Sequence, residues 1–136
     1  MTKSVLFVCF GNACRSIMAE ALAKHYWGDT LKVASAGLTA LGYIPEETIS
    51  VLEEIGVSTA GLYSKGLAEV EIEAFHLILD LALHPLERLI PPSFKGRLIH
   101  WHVRDPFQDS LEAFRQTRNA IEWLVTEKIP KWVNEE

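Results

Sequence analysis

Cysteine is scarce in this chain: there are two in 136 residues, and both fall inside one short stretch, at positions 9 and 14. Two thiols so close together make no disulfide framework, and their placement suits a reducing cytoplasm. Long hydrophobic runs are missing as well. The first apolar segment follows Met1-Thr2-Lys3 directly, no signal-type apolar region is expected before it, and no stretch approaches a transmembrane span. A basic surplus is absent: 13 Lys and Arg stand against 18 Asp and Glu, a formal net charge of −5. With the basic residues scattered and not interleaved with aromatics, nucleic acid and an anionic membrane are disfavoured as partners. Internal repeats, linkers and low-complexity segments are lacking too, so residues 1–136 read as one domain with a core of its own.

What is present is concentrated near the start. Val5-Leu6-Phe7-Val8 reads as a buried strand, and Met18, Ala21, Leu22 and His25 recur at helical spacing on one face of a helix from about Arg15 to Trp27, stopped by Gly28-Asp29. Between strand and helix lies Cys9-Phe10-Gly11-Asn12-Ala13-Cys14-Arg15-Ser16. Such a junction turns backbone N–H groups and a helix N-terminus toward whatever sits in the loop, which suits an oxyanion and makes a thiol there nucleophilic.

Further along, Leu31 to Ala34 is a short second strand, and Ser35-Ala36-Gly37 turns out of it. Pro45 at a first helical position, followed by Glu46 and Glu47, starts a second helix with Ile49, Leu52 and Ile55 inward and a left-handed cap at Gly56. His76 to Leu79 is a third strand, Leu83 to Leu89 a short helix, and Arg97 to His100 a fourth strand. Asp109 with Glu112 has capping-box spacing, opening a long helix to about Lys128 with Leu111, Phe114, Ile121, Leu124 and Val125 inward and Pro130 at its end. Trp123 and Trp132 are expected as core and C-terminal anchors. Four apolar strands separated by helices and long loops predict an α/β fold: three layers, with a four-stranded parallel sheet and helices on both faces. Ligands in such folds bind beyond the carboxyl ends of the strands, where the Cys9 loop and the Trp101–Gln108 loop both lie.

These residues suit nucleophilic chemistry on phosphorus. Gly11 is expected at positive φ, letting the backbone pass close to the anion. Amides from Phe10 through Ala13 and Cys14 to Ser16 can donate to it, and Arg15 offers a bidentate fork for two oxygens. Ser16 can donate its hydroxyl to the Cys9 thiolate, and Asn12 can hold the loop in shape. Attack by Cys9 gives a thiophosphate, later hydrolysed by water. Asp105, set before Pro106 on the same edge, is the candidate proton donor to the leaving oxygen, which predicts an optimum on the acidic side of neutral. Asp109 is the rival carboxylate, but its spacing suits a helix cap. Cys14 either packs against the first helix or forms a reversible disulfide with Cys9. His100 and His102 alternate along one strand, but two such residues without a third are a weak metal motif.

Cys9 to Glu20 resembles, in the form CxGNxCRSxxAE, the low-molecular-weight protein tyrosine phosphatases. Ser35-Ala36-Gly37 and Asp105-Pro106 match further motifs of that family, and the likeness runs loosely through the middle of the chain. It implies Cys9 as nucleophile, Arg15 as phosphate clamp, Asp105 as acid, no metal or cofactor, and a phosphorylated protein, small aryl phosphate or inorganic oxyanion as partner. Two departures stand out. Phe107-Gln108 replaces the family's usual adjacent tyrosines, and Leu41 replaces an aromatic, leaving Leu41, Tyr43 and Phe107 as the expected cleft wall. Met18-Ala19-Glu20, the stretch from Pro45 to Leu67, and the last helix are closer to the related arsenate reductases. The segment Leu79 to Pro85 has no thiol, so an intramolecular cysteine relay is excluded. The expected activity is thus cysteine-dependent phosphomonoester hydrolysis, with arsenate reduction by an external thiol, or a catalytically weak anion-binding or redox-sensing role, as alternatives.

Overall fold

A computed structural model describes residues 2–135. Strand β1, Lys3–Cys9, is flanked in a parallel sheet by β2, Leu31–Gly37, and β3, Leu77–Asp80, with β4, Arg97–His100, at the far edge, giving the order β2-β1-β3-β4. Val5 pairs in register with Val33 on one side and Leu77 on the other, and Cys9 lies opposite Gly37. The connection leaving β1 runs to β2 on one side and the one leaving β3 runs to β4 on the other, so a crevice opens between the carboxyl ends of β1 and β3. Cys9 is the last residue of β1.

Alternation along β1 divides the core. Val5, Phe7 and Cys9 face one layer with α1, Arg15–Trp27, and α3, Leu111–Glu127, and both Val5 and Phe7 are fully buried. The short helices α2, Glu46–Glu53, and α4, Ile129–Asn134, close this layer, supplying Val51, Leu52 and Ile129. Leu6 and Val8 face the other way, with Ile78 and Leu86, under 3-10 turns at Leu67–Glu69, Ile72–Ala74 and Leu86–Leu89. The three layers are therefore unequal: α-helices on one side, single helical turns and loops on the other. Each large side chain removed from water in these clusters contributes roughly 1.5–3 kcal/mol before entropy is counted.

Several boundaries differ from the sequence expectation, each for a local reason. α1 has no single buried stripe, since every residue from Arg15 to Ala23 is buried, while His25 is exposed. β2 continues through Ser35-Ala36-Gly37, which is strand and not turn, because it pairs with β1 to its end. Pro45 stands just before α2 as its N-cap, and the inward residues are Thr48, Val51 and Leu52; Ile55 is exposed, beyond the helix and next to the left-handed Gly56. The cap of α3 is Ser110, whose Oγ accepts the Ala113 N–H at 3.1 Å. Asp109 instead pairs with Arg104 at 3.0 Å. Leu111 and Trp123 are exposed on the outer side of α3, whereas Phe114, Ile121, Leu124 and Val125 are fully buried. Pro130 does not close the chain's last helix; it opens α4, where its missing N–H costs nothing.

Candidate active site

The loop after β1 is held by backbone contacts from the segment after β2. Leu38 N donates to Cys9 O, Thr39 N to Phe10 O and Leu41 N to Gly11 O, at 3.1, 2.9 and 2.8 Å. This approach is so close that a Cβ on Gly37 would lie 2.8 Å from both Asn12 N and Phe10 O. The left-handed residue of the loop is Asn12, at φ 48, and Gly11 is not at positive φ. Asparagine tolerates that conformation, and its side chain is locked into it. Nδ2 donates to Ser16 Oγ at 2.7 Å and Ser35 Oγ at 2.9 Å, while Oδ1 accepts the Lys65 N–H at 2.9 Å.

This arrangement orients a hydroxyl at the thiol. Ser35 gives its own proton to Glu20 Oε1 at 2.5 Å, and Asn12 supplies one N–H to each serine. Ser16 Oγ, 2.9 Å from Cys9 Sγ, thus has its remaining hydrogen available for the sulfur. Glu20, a buried carboxylate, is balanced by Lys24 at 2.6 Å and by the buried Lys65 ammonium at 3.5 Å. A buried charge demands such partners.

Arg15 opens α1. Its Nη1 donates to the carbonyls of Leu81 and Val103 at 3.2 and 3.1 Å, so the segments after β3 and β4 fix its plane. Its Nε is buried and has no partner among the described residues. No backbone amide from Gly11 to Ser16 donates to a protein acceptor among the described residues, and no side chain caps α1. A row of unused donors, one of them a guanidinium N–H, is a nest for an oxyanion. Asp105 stands at its mouth: Oδ2 is 3.6 Å from Arg15 Nη2, and Oδ1 accepts the Phe107 N–H at 3.0 Å across Pro106. The turn aims the carboxyl at the cleft and leaves it about half exposed.

The cleft, about 150 Å³, is lined by Cys9, Phe10, Gly11, Ala13, Cys14 and Arg15 below and by Thr39, Leu41, Asp105 and Phe107 around the rim. Tyr43 lies outside it, in a neighbouring groove beyond Phe107. The aromatic wall that the sequence reading did not anticipate is the side chain of Phe10, exposed and stacked on His84 at 5.5 Å. Cys14 is buried, and burial pushes its thiol up to about 12, with a contact from Thr48 opposing the shift. It is therefore a thiol, not a thiolate, at neutral pH. His100 is engaged by carboxylates, with Nδ1 2.7 Å from Asp80 and Nε2 2.8 Å from Glu87.

A model of the low molecular weight phosphotyrosine protein phosphatase family matches residues 4–136. The chain belongs to that family. A glutaredoxin arsenate reductase from Synechocystis is 31% identical over 131 residues, spanning 95% of this chain and 98% of the relative. An arsenate reductase solved in its phosphate-binding state superposes with a TM-score of 0.85 at 29% identity, over 96% of this chain and 99% of the other. A tyrosine phosphatase from Escherichia coli, solved with sulphate, gives 0.83 at 27% identity, over 96% and 99% of the two chains. Members of both activities thus share this phosphatase-family fold, and members of both have been solved with tetrahedral oxyanions.

Within this low molecular weight phosphatase-family domain, the supporting residues escaped the sequence reading more than the candidate catalytic ones. Glu20, Ser35 and Lys65 were visible only as matches to motifs, since the contacts that join them to one another and to Asn12 cross 15 to 53 positions. A carboxylate on a helix otherwise buried was the one signal for Glu20. Gly37 was visible as a small residue, but its reason, the approach of the Cys9 loop, is tertiary.

Proposed function

We propose that this chain hydrolyses phosphomonoesters of the aryl type, phosphotyrosine among them, through a thiophosphate on Cys9. Cys9 Sγ attacks phosphorus in line while the loop amides and Arg15 hold the three non-bridging oxygens. Ser16 donates to the sulfur, and Asp105 gives a proton to the ester oxygen as the P–O bond breaks. Asp105, now a carboxylate, accepts a proton from water attacking the thiophosphate, releasing phosphate and regenerating the thiolate. The observation that carries this reading is Asp105 at the mouth of the cleft that holds Cys9 and Arg15, since a proton donor serves an ester leaving group. The free thiols fit a reducing compartment such as the cytoplasm, and no described helix is long and apolar enough to cross a membrane.

Arsenate reduction is the second reading, favoured by the likeness to the Synechocystis enzyme. Cys9 would form the arsenic(V) adduct; one external thiol would attack the Cys9 sulfur, releasing arsenic(III) and leaving a mixed disulfide, and a second would free Cys9 as the external disulfide departs, the two thiols supplying both electrons because the segment 79–85 holds no cysteine. Both activities are separated by p-nitrophenyl phosphate hydrolysis and thiol-coupled arsenate reduction run in parallel on wild type, Cys9→Ser and Asp105→Asn. Hydrolysis under mildly acidic, reducing conditions, lost in Cys9→Ser and strongly slowed in Asp105→Asn, is the expected result. No hydrolysis by wild type would remove the phosphatase reading.

A further inference from the structure

The groove beyond Phe107 is the largest feature adjoining the cleft, at about 320 Å³. Tyr43, Ile44, Pro45 and Phe107 give it apolar walls, and Glu46 and Glu47, the first two residues of α2, line it as well. No Lys, Arg or His lines it. Neither glutamate takes part in an ion pair or side-chain hydrogen bond among the described residues. Nearby cations are already neutralised by their own partners: Arg104 by Asp109 at 3.0 Å, and Arg115 by Glu54 at 2.7 Å. The cleft therefore has its cation, Arg15, at the floor, and the groove beside it carries acidic charge only.

A free aryl phosphate occupies only the cleft, so the groove can discriminate only among substrates that extend beyond the phosphorylated side chain. We infer that these residues select phosphopeptide segments in which a lysine or arginine neighbours the phosphorylated residue, its stem lying on Tyr43 and Phe107 and its charge at Glu46 and Glu47. This rests on the hydrolase reading above. Apolar stem contact with the charged head at a carboxylate is the usual way such side chains are held at a surface. The selection is electrostatic at long range, so it acts against acidic segments as much as in favour of basic ones.

The test compares kcat/KM for phosphotyrosine peptides carrying arginine on either side of the phosphotyrosine with counterparts carrying glutamate, with p-nitrophenyl phosphate as the small-substrate control. One exposed carboxylate, Glu46, and one half-buried, Glu47, predict a preference of about tenfold for the arginine peptides at low ionic strength. It should shrink markedly at about 0.5 M salt, where screening acts within a few ångströms. Glu46→Gln combined with Glu47→Gln should bring the ratio close to one and leave p-nitrophenyl phosphate turnover unchanged. Equal rates on the two peptide sets in wild type, or a preference that survives the double substitution, would overturn the assignment. Control turnover separates the two levels: an inert control removes the hydrolase reading and this one with it, whereas an active control without peptide preference removes this one alone.

Discussion

Asn12 offers the sharpest test of how the anion loop is built, because it holds the loop in two separable ways. Its backbone sits at φ 48, and its side chain makes three buried hydrogen bonds, to Ser16, Ser35 and the Lys65 amide. In Asn12→Ala both are lost. A left-handed alanine costs about 1–2 kcal/mol. The Lys65 N–H, left without an acceptor, adds about 1–3 kcal/mol, and the two serines lose a donor each. Destabilisation of about 4 kcal/mol is therefore expected, as a shift in the urea midpoint with little change in slope. Asn12→Gly restores the backbone freedom but not the contacts, and should recover about 1 kcal/mol net, since glycine also loses more entropy on folding. Phosphate affinity, read by the stabilisation that phosphate gives, should fall in both variants, because the Ser35–Asn12–Ser16 connection is cut in each. Two results would refute the reasoning. Alanine and glycine variants of equal stability would show that the left-handed conformation is not enforced, and a loss below about 1 kcal/mol in both would show that the buried bonds are not worth their count.

Other expectations follow from single features. Gly37→Ala places a methyl group within 3 Å of three backbone atoms of the Cys9 loop, so it should cost about 1–3 kcal/mol in denaturant titrations and weaken oxyanion binding more than it alters the helices; wild-type phosphate affinity would contradict the close approach. With its thiol pushed up to about 12, Cys14 should resist iodoacetamide at neutral pH in a Cys9→Ser background, and its labelling should quicken only as pH climbs toward that value; rapid labelling at pH 7 by mass spectrometry would contradict its burial. Glu87 and Asp80 raise the His100 pKa above its ordinary value. A raised folded value means that the stabilisation is complete below the unfolded pKa of about 6.5 and is lost as pH rises through the folded one. Wild type should therefore lose more stability than His100→Gln on passing from pH 6 to pH 9, and parallel profiles would dismiss the link.

The candidate site at the end of β1 was legible in the sequence because its residues are bunched. Cys9, Asn12, Arg15 and Ser16 lie within eight residues at a strand-to-helix junction, where local geometry largely decides what faces the loop. The four strands were legible for a similar reason: each is a run of apolar residues whose placement in a parallel sheet is constrained by the helices between them. What could not be read depends on distant pairing. Ser35-Ala36-Gly37 looked like a turn because small residues often make one, yet pairing with β1 keeps it extended. Asp109 and Ser110 are both good caps, and only the ion pair of Asp109 with Arg104 shows why the serine takes the position. Tyr43 was two residues from Leu41 in sequence, and a loop with Gly42 at φ 91 between them sends the two to different grooves.

The two carbonyls that grip Arg15 Nη1 have a consequence for the traffic of small anions. A guanidinium already pinned by Leu81 and Val103 gives up little freedom when a ligand arrives, so the nest accepts a bare tetrahedral ion nearly as readily as an esterified one. If the proposed chemistry holds, the phosphate product, arsenate and sulphate are expected to be rivals for the same seat. On the proposed hydrolase reading, turnover should therefore fall as dissolved inorganic oxyanions rise at fixed substrate.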